Sequence, residues 1–273
     1  MNTVCRLEQL FSLDMLAEHL AGFQTPQAEH DPAGDWQHVY RFYSLAGIGD
    51  FGGRHGTVRI ERARCGTGRF AMHVECERKT PGQFATRLRA DIIARDERLP
   101  TPLQWSWQSE IVNSEGKVLP DSHLERSAAL KDGLVEIAGR KQKSAVREPA
   151  VINWLLFDAV GRLPQEQFSP LRFTLVDHFD QIKLGHTLKY VRSATVLLGQ
   201  IRPRHLKSDD ANGNWQPAPS EQSEGRPVRL HVYHHFGEGI LPWVYWVDDR
   251  GRPLIVVSGI EAYVIDSFAK LAP

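Results

Sequence analysis

The stretch RPVRLHVYHHFGEGILPWVYWVDDRGRPLIVVSGIEAYVI, residues 226–265, decides the fold. Its runs of Val, Ile, Leu, Tyr and Trp are short and separated by Gly, Pro and Asp. That is the pattern of consecutive antiparallel strands with aromatics projecting from both faces, not the single stripe of a helix. Strands are predicted at 228–236, 243–247, 254–258 and 262–265, with Asp248, Asp249, Arg250 and Gly251 forming the hairpin turn before LIVVSG.

Working backwards, the same period recurs. Residues 36–45 are aromatic-rich and extended. Val58 and Ile60 alternate in 57–65, and Phe70, Met72, Val74 and Cys76 alternate with Ala71, His73 and Glu75. Residues 84–93 and 103–111 repeat the pattern, with Trp105 and Trp107 on one face. Period two means one face buried and one wet, and strands joined by short turns imply an antiparallel meander. Residues 126–130 and 134–137 flank a Lys-Asp-Gly turn, a hairpin signal. In PAVINWLLFDAV (149–160) the period changes to that of a short buried helix begun by Pro149. Further strands are predicted at 173–179, 186–191 and 194–201. The fold class is therefore mainly β: a strongly curved antiparallel sheet, or half-barrel, of about ten strands. An N-terminal helix (1–24) and one short internal helix pack against a single β domain (36–273), which carries a long exposed loop at 202–227.

At 273 residues, 41% hydrophobic and 24% charged, the chain has an ordinary globular composition. Its 33 basic and 33 acidic residues cancel, so no global field attracts nucleic acid. Three cysteines argue against a disulfide scaffold. With GTGR (66–69) as a turn, Cys65 faces Phe70 and Cys76 faces about Arg59, too far out of register to bridge. The apolar residues of the N-terminal segment are interrupted by Glu8, Asp14 and Glu18. No secretory apolar core and no integral membrane segment is read, and the expected location is cytoplasmic, or periplasmic if the true start lies elsewhere.

Chemical signatures are sparse. Gly47, Gly49 and Gly52 have the spacing of a dinucleotide fingerprint, but a strand follows them where a helix is required. In HVYHH, His231 and His235 share a strand face about 13 Å apart at roughly 3.3 Å per residue, too far for one metal ion. No metal and no cofactor is expected. Candidate acid–base groups are His234 and Glu238, chosen for their places beside aromatics and glycines, and Asp177, one of the paired carboxylates of DHFD (177–180).

The closing hairpin LPWVYWVDDRGRPLIVVSG (241–259) resembles the terminal strands of LolA-like and related uncharacterised periplasmic β half-barrels. In these a tryptophan-bearing strand turns through an Asp/Gly pair into an apolar strand. The resemblance implies a curved sheet covered by helices that holds acyl chains or other apolar molecules; at least one relative is an enzyme.

The leading functional expectation is binding of an apolar or aromatic small molecule in the concave face, with Trp105, Trp107, Trp243, Tyr245 and Trp246 as lining residues and His234 or Glu238 orienting its polar end. The alternative is an enzyme acting on a carbohydrate or related metabolite, using the aromatics as a stacking platform and Glu238, His234 or Asp177 as acid and base. A third reading is an interaction protein that docks a partner through a strand edge or its N-terminal helix.

Overall fold

The computed structural model describes residues 16, 20, 23–44, 54–80, 84–146, 149–198 and 226–266. The expected N-terminal helix, apart from a few positions, the glycines of GIGDFG and most of the 202–227 loop lie outside the described residues.

The described residues form one fifteen-stranded sheet, in the order β8-β7-β6-β5-β4-β3-β2-β1-β15-β14-β13-β12-β11-β10-β9. The described chain enters in the middle of the sheet with β1 (Trp36–Ser44). It then steps outward through β2 (Arg54–Arg64), β3 (Arg69–Thr80), β4 (Phe84–Arg95), β5 (Pro102–Val112), β6 (Leu124–Lys131), β7 (Leu134–Ile137) and β8 (Ser144–Ala145). It restarts at the far edge with β9 (Ala150–Ile152). From there it returns through β10 (Leu171–Asp177), β11 (Gln181–Leu198), β12 (Arg226–Phe236), β13 (Trp243–Asp248), β14 (Pro253–Ser258) and β15 (Glu261–Ile265), which pairs with β1.

This topology forces curvature. Laid flat, fourteen strand spacings of about 4.8 Å would hold β8 and β9 roughly 67 Å apart. Only residues 146–149 join them, and five extended residue steps span at most about 18 Å. The sheet must therefore curl until its two edges meet, giving an open, barrel-like body.

Burial follows the curl. In β4 and β5 one face is inside, with Ala90, Ile92, Trp105 and Trp107 buried. The outer face carries cross-strand pairs such as Arg87–Glu77 at 3.0 Å, which in solvent are worth at most about 1 kcal/mol each. By contrast, all six residues of β14 are buried, so this part of the wall is covered on both sides. That is why 226–265 reads as apolar in both phases.

The barrel interior is filled by α1 (Leu155–Arg162), in which every residue from Leu155 to Val160 is buried. Phe157 is its hub, with its ring edge-on to Tyr40, Tyr245 and Tyr263 at centroid distances of 5.3, 6.0 and 5.9 Å. The helix stops where Leu163 turns extended, as the residue before Pro164 must. At that end the buried Arg62 and Asp158 and the half-buried Asp96 and Arg162 form an ion cluster. Arg62 reaches Asp158 at 2.7 Å and Asp96 at 2.8 Å, and Arg162 reaches Asp96 at 2.7 Å and pairs with Asp158. Arg62 also donates to the carbonyls of Ala33 and Gly34, pinning the segment before β1.

Several expectations are corrected. The helix begins at Leu155 and not near Pro149, because Ala150–Ile152 pairs in parallel with β10. The predicted strands 186–191 and 194–201 merge into β11, and the pairing shift between Tyr190 and Arg192 is a bulge, not a break. Among the described residues there are fifteen strands and not about ten; β8 and β9, of two and three residues, are the ones not predicted, being too short to show a period. Cys76 faces Val58, one residue from the expected register, and both described cysteines are free.

Candidate functional site

The turns β5–β6, β10–β11, β12–β13 and β14–β15 all emerge at one end of the barrel, and this mouth holds a cavity of about 490 Å³. Its walls are aromatic. Trp107 stacks on Phe179 with ring centroids 5.6 Å apart and planes 17° from parallel. Trp243 stacks on Tyr263 at 5.7 Å and 20°, and Trp154 meets Tyr263 edge-on.

Phe179 reaches the wall through a strained turn. His178 and Phe179 have φ of 47° and 69°, a left-handed conformation that costs a non-glycine residue roughly 1–2 kcal/mol. The contacts made by Phe179 offset that cost: it is 2% exposed, lies on Trp107, and its carbonyl accepts a 2.9 Å hydrogen bond from the indole of Trp105. Arg140 reinforces the same turn by donating to Asp180 at 2.5 Å. The β10–β11 turn is thereby fastened to β5 across the gap between the sheet edges.

The charged groups of the cavity come in pairs. Arg78 donates to Glu261 at 2.8 Å and to the Tyr263 hydroxyl at 2.9 Å, and Tyr263 donates on to Glu261 at 2.9 Å. Lys183 donates to Asp177 at 2.6 Å and to the Gly239 carbonyl at 2.8 Å. Burial pushes the Cys76 thiol up and the Tyr263 phenol well up, so both line the cavity as neutral groups. The side-chain oxygen of Asn153, another lining residue, is buried and has no hydrogen-bond partner among the described residues. The arrangement suits an apolar, flat or chain-like molecule that brings a donor for Asn153. Among the described residues it supplies no uncompensated charge for an anion.

Of the residues named from sequence, Trp107, Trp243 and Asp177 line the cavity. Trp105 lies behind it, spending its N–H on Phe179. Tyr245 is buried against Trp243 and Phe157. Trp246 points to the opposite face of β13, 6% exposed, with its indole nitrogen unpartnered among the described residues. His234 is buried on that same opposite face, across from Val244. Glu238 is exposed in the β12–β13 connection, next to the cavity residue Gly239. Sequence reasoning missed Arg78, Asn153, Phe179, Glu261 and Tyr263. Tyr263 is on the concave phase of its strand and could have been found by alternation. Phe179 carried no signal, because its position depends on a left-handed turn.

Among the described residues, no group of three or more His, Cys, Asp or Glu side chains is gathered as for a metal ion, and no helix is long and apolar enough to cross a membrane.

No protein-family model matches the chain, and no curated protein matches it in sequence. Among solved structures, it is similar to a beta-barrel-like protein of the domain of unknown function DUF1849 from Brucella abortus, with a TM-score of 0.48 and 11% identity. The match covers 88% of this chain and 97% of that one.

Proposed function

We propose that the protein binds a small apolar or aromatic molecule in the mouth of its curled sheet. The observation that carries this reading is a cavity of about 490 Å³ walled by two stacked ring pairs, Trp107–Phe179 and Trp243–Tyr263. That volume lies within the roughly 300–1,000 Å³ of small-molecule sites, and burying a ligand's apolar surface there gains about 25 cal/mol per Å² before the costs of association. The charge pairing supports binding over acid–base chemistry: Asp177 and Glu261 are each held by a cation at hydrogen-bond distance. Asn153 supplies the polar contact that orients the guest. The resemblance of the closing hairpin to LolA-like half-barrels favours acyl chains or similarly apolar groups as the guest.

The test is a titration with a fluorescent fatty-alcohol analogue, an uncharged chain that brings a hydroxyl donor for Asn153, followed by energy transfer from tryptophan. Saturable binding that weakens about tenfold or more in Trp243→Ala and Trp107→Ala, with the fold intact by circular dichroism, is the expected result. Non-saturable binding, or wild-type affinity in both variants, would remove the mouth from consideration.

A further inference from the structure

We propose that Ser193, His231 and Asp249 form a second site, at the end of the barrel away from the mouth, in which Ser193 is an activated nucleophile towards small carboxylic esters. Ser193 of β11 lies directly across from His231 of β12, and Asp249 follows the end of β13. The Ser193 hydroxyl is 2.9 Å from His231 Nδ1, and His231 Nε2 is 2.7 Å from Asp249 Oδ1. A carboxylate can only accept, so Nε2 carries the proton and Nδ1 is the acceptor for the Ser193 O–H. Nucleophile, base and orienting carboxylate thus stand in the order and at the distances that activate a serine hydroxyl, with the two imidazole nitrogens exchanged relative to the serine-protease arrangement.

The local backbone is built to present this serine. In a regular strand, residues three apart point to opposite faces. The bulge between Tyr190 and Arg192 inserts one residue, and the Tyr190 and Ser193 hydroxyls come to lie 2.7 Å apart on the same face. Bulges re-aim side chains in this way. Only 2% of the His231 side chain is exposed, whereas 58% of Asp249 is, and Ser193 is half-buried. The base is shielded from water while the nucleophile remains within reach of a small reagent. Arg229, two residues before His231 and on the same face, holds the same carboxylate at 4.0 Å and is the cation available to a developing oxyanion.

In the reaction, Ser193 Oγ bonds to the ester carbonyl carbon as its proton passes to His231 Nδ1. The carbon–alkoxide bond breaks, and the leaving alcohol takes that proton. Water then attacks the acyl-serine by the same route, releasing the carboxylic acid and restoring the hydroxyl. Asp249 accepts from the imidazolium throughout.

The full chain is incubated with a fluorophosphonate, and the adduct is mapped by peptide mass spectrometry. Turnover of p-nitrophenyl acetate is followed in parallel. We expect one adduct on Ser193 that is absent in Ser193→Ala, with labelling and turnover reduced on the order of 100-fold in His231→Gln. Asp249→Asn, at a largely exposed side chain, preserves the fold and should reduce both by at least about tenfold. Saturating the mouth with the fatty-alcohol analogue should leave labelling of Ser193 unchanged, which separates this proposal from the binding reading. An unlabelled Ser193 in the wild type, or equal labelling of wild type and Asp249→Asn, overturns it.

Discussion

Nε of Arg62 lies 2.7 Å from Oδ1 of Asp158, and neither side chain is exposed to solvent. The contact is an ion pair whose angle does not make a hydrogen bond, since both atoms lack one, and it ties α1 to β2 at the end of the barrel away from the mouth. Burial pushes the Asp158 carboxyl up to about 6, against the opposing pull of Arg162 and Arg62. The folded state therefore keeps a proton that the unfolded chain has released above its ordinary value of 3.8. The contribution of Asp158 to stability is fullest below that value and is lost as pH rises through about 6. Asp158→Asn removes this titration. Denaturant unfolding at intervals from pH 4 to pH 7 should show the variant gaining stability relative to the wild type; a relative loss would mean that the two arginines outweigh burial.

Gly161 and Gly251 bring the end of α1 and the β13–β14 turn into backbone contact. A Cβ on Gly161 would sit 2.3 Å from the Gly251 carbonyl oxygen. In an open helix Gly→Ala gains roughly 0.5–1 kcal/mol. Here Gly161→Ala should instead destabilise by about 1–3 kcal/mol, the usual cost of overpacking, read as a lower urea midpoint with unchanged slope.

His186 Nδ1 and His235 Nε2 share a 2.9 Å hydrogen bond in the core beside Phe173. Burial, and secondarily His186, lowers His235 to about 3. The unfolded chain takes up a proton below 6.5 that the folded chain refuses, so this stability is present above 6.5 and is lost as pH falls towards 3. His235→Gln should flatten the acid limb of the stability profile between pH 6.5 and 4. An unchanged limb would place the acid sensitivity elsewhere.

Trp105 fastens the β10–β11 turn through its bond to the Phe179 carbonyl. Trp105→Phe keeps an aromatic side chain but removes the donor, at a cost of about 1 kcal/mol for the bond, with a further cost for the buried volume lost with the indole. Amide hydrogen exchange should accelerate over residues 177–181 while the β12–β15 core stays protected. Uniform acceleration would show that the bond supports the whole fold and not the turn.

The legible parts of this fold are those written locally. Phe70, Met72, Val74 and Cys76 declare their face by alternation, and Asp132 and Gly133 supply the two positive φ angles of a tight hairpin turn. Residues that depend on distant partners were opaque. Ala150–Ile152 is a strand because the edge of β10 is free, and its three residues show no period of their own. Trp107 and Trp243 could be named as lining residues from strand phase alone. Trp105 and Tyr245 share that phase, yet sit behind Phe179 and Trp243. Only the closure of the sheet separates the two layers, and closure is set by the four-residue link between β8 and β9.

The most direct test of the binding account is mass spectrometry of the freshly purified protein under native and denaturing conditions, for the wild type and for Trp243→Ala. The account predicts a wild-type chain that carries a non-covalent apolar or aromatic mass, lost on denaturation and depleted in the variant. A bare wild-type chain that also fails to take up the fatty-alcohol analogue would contradict it.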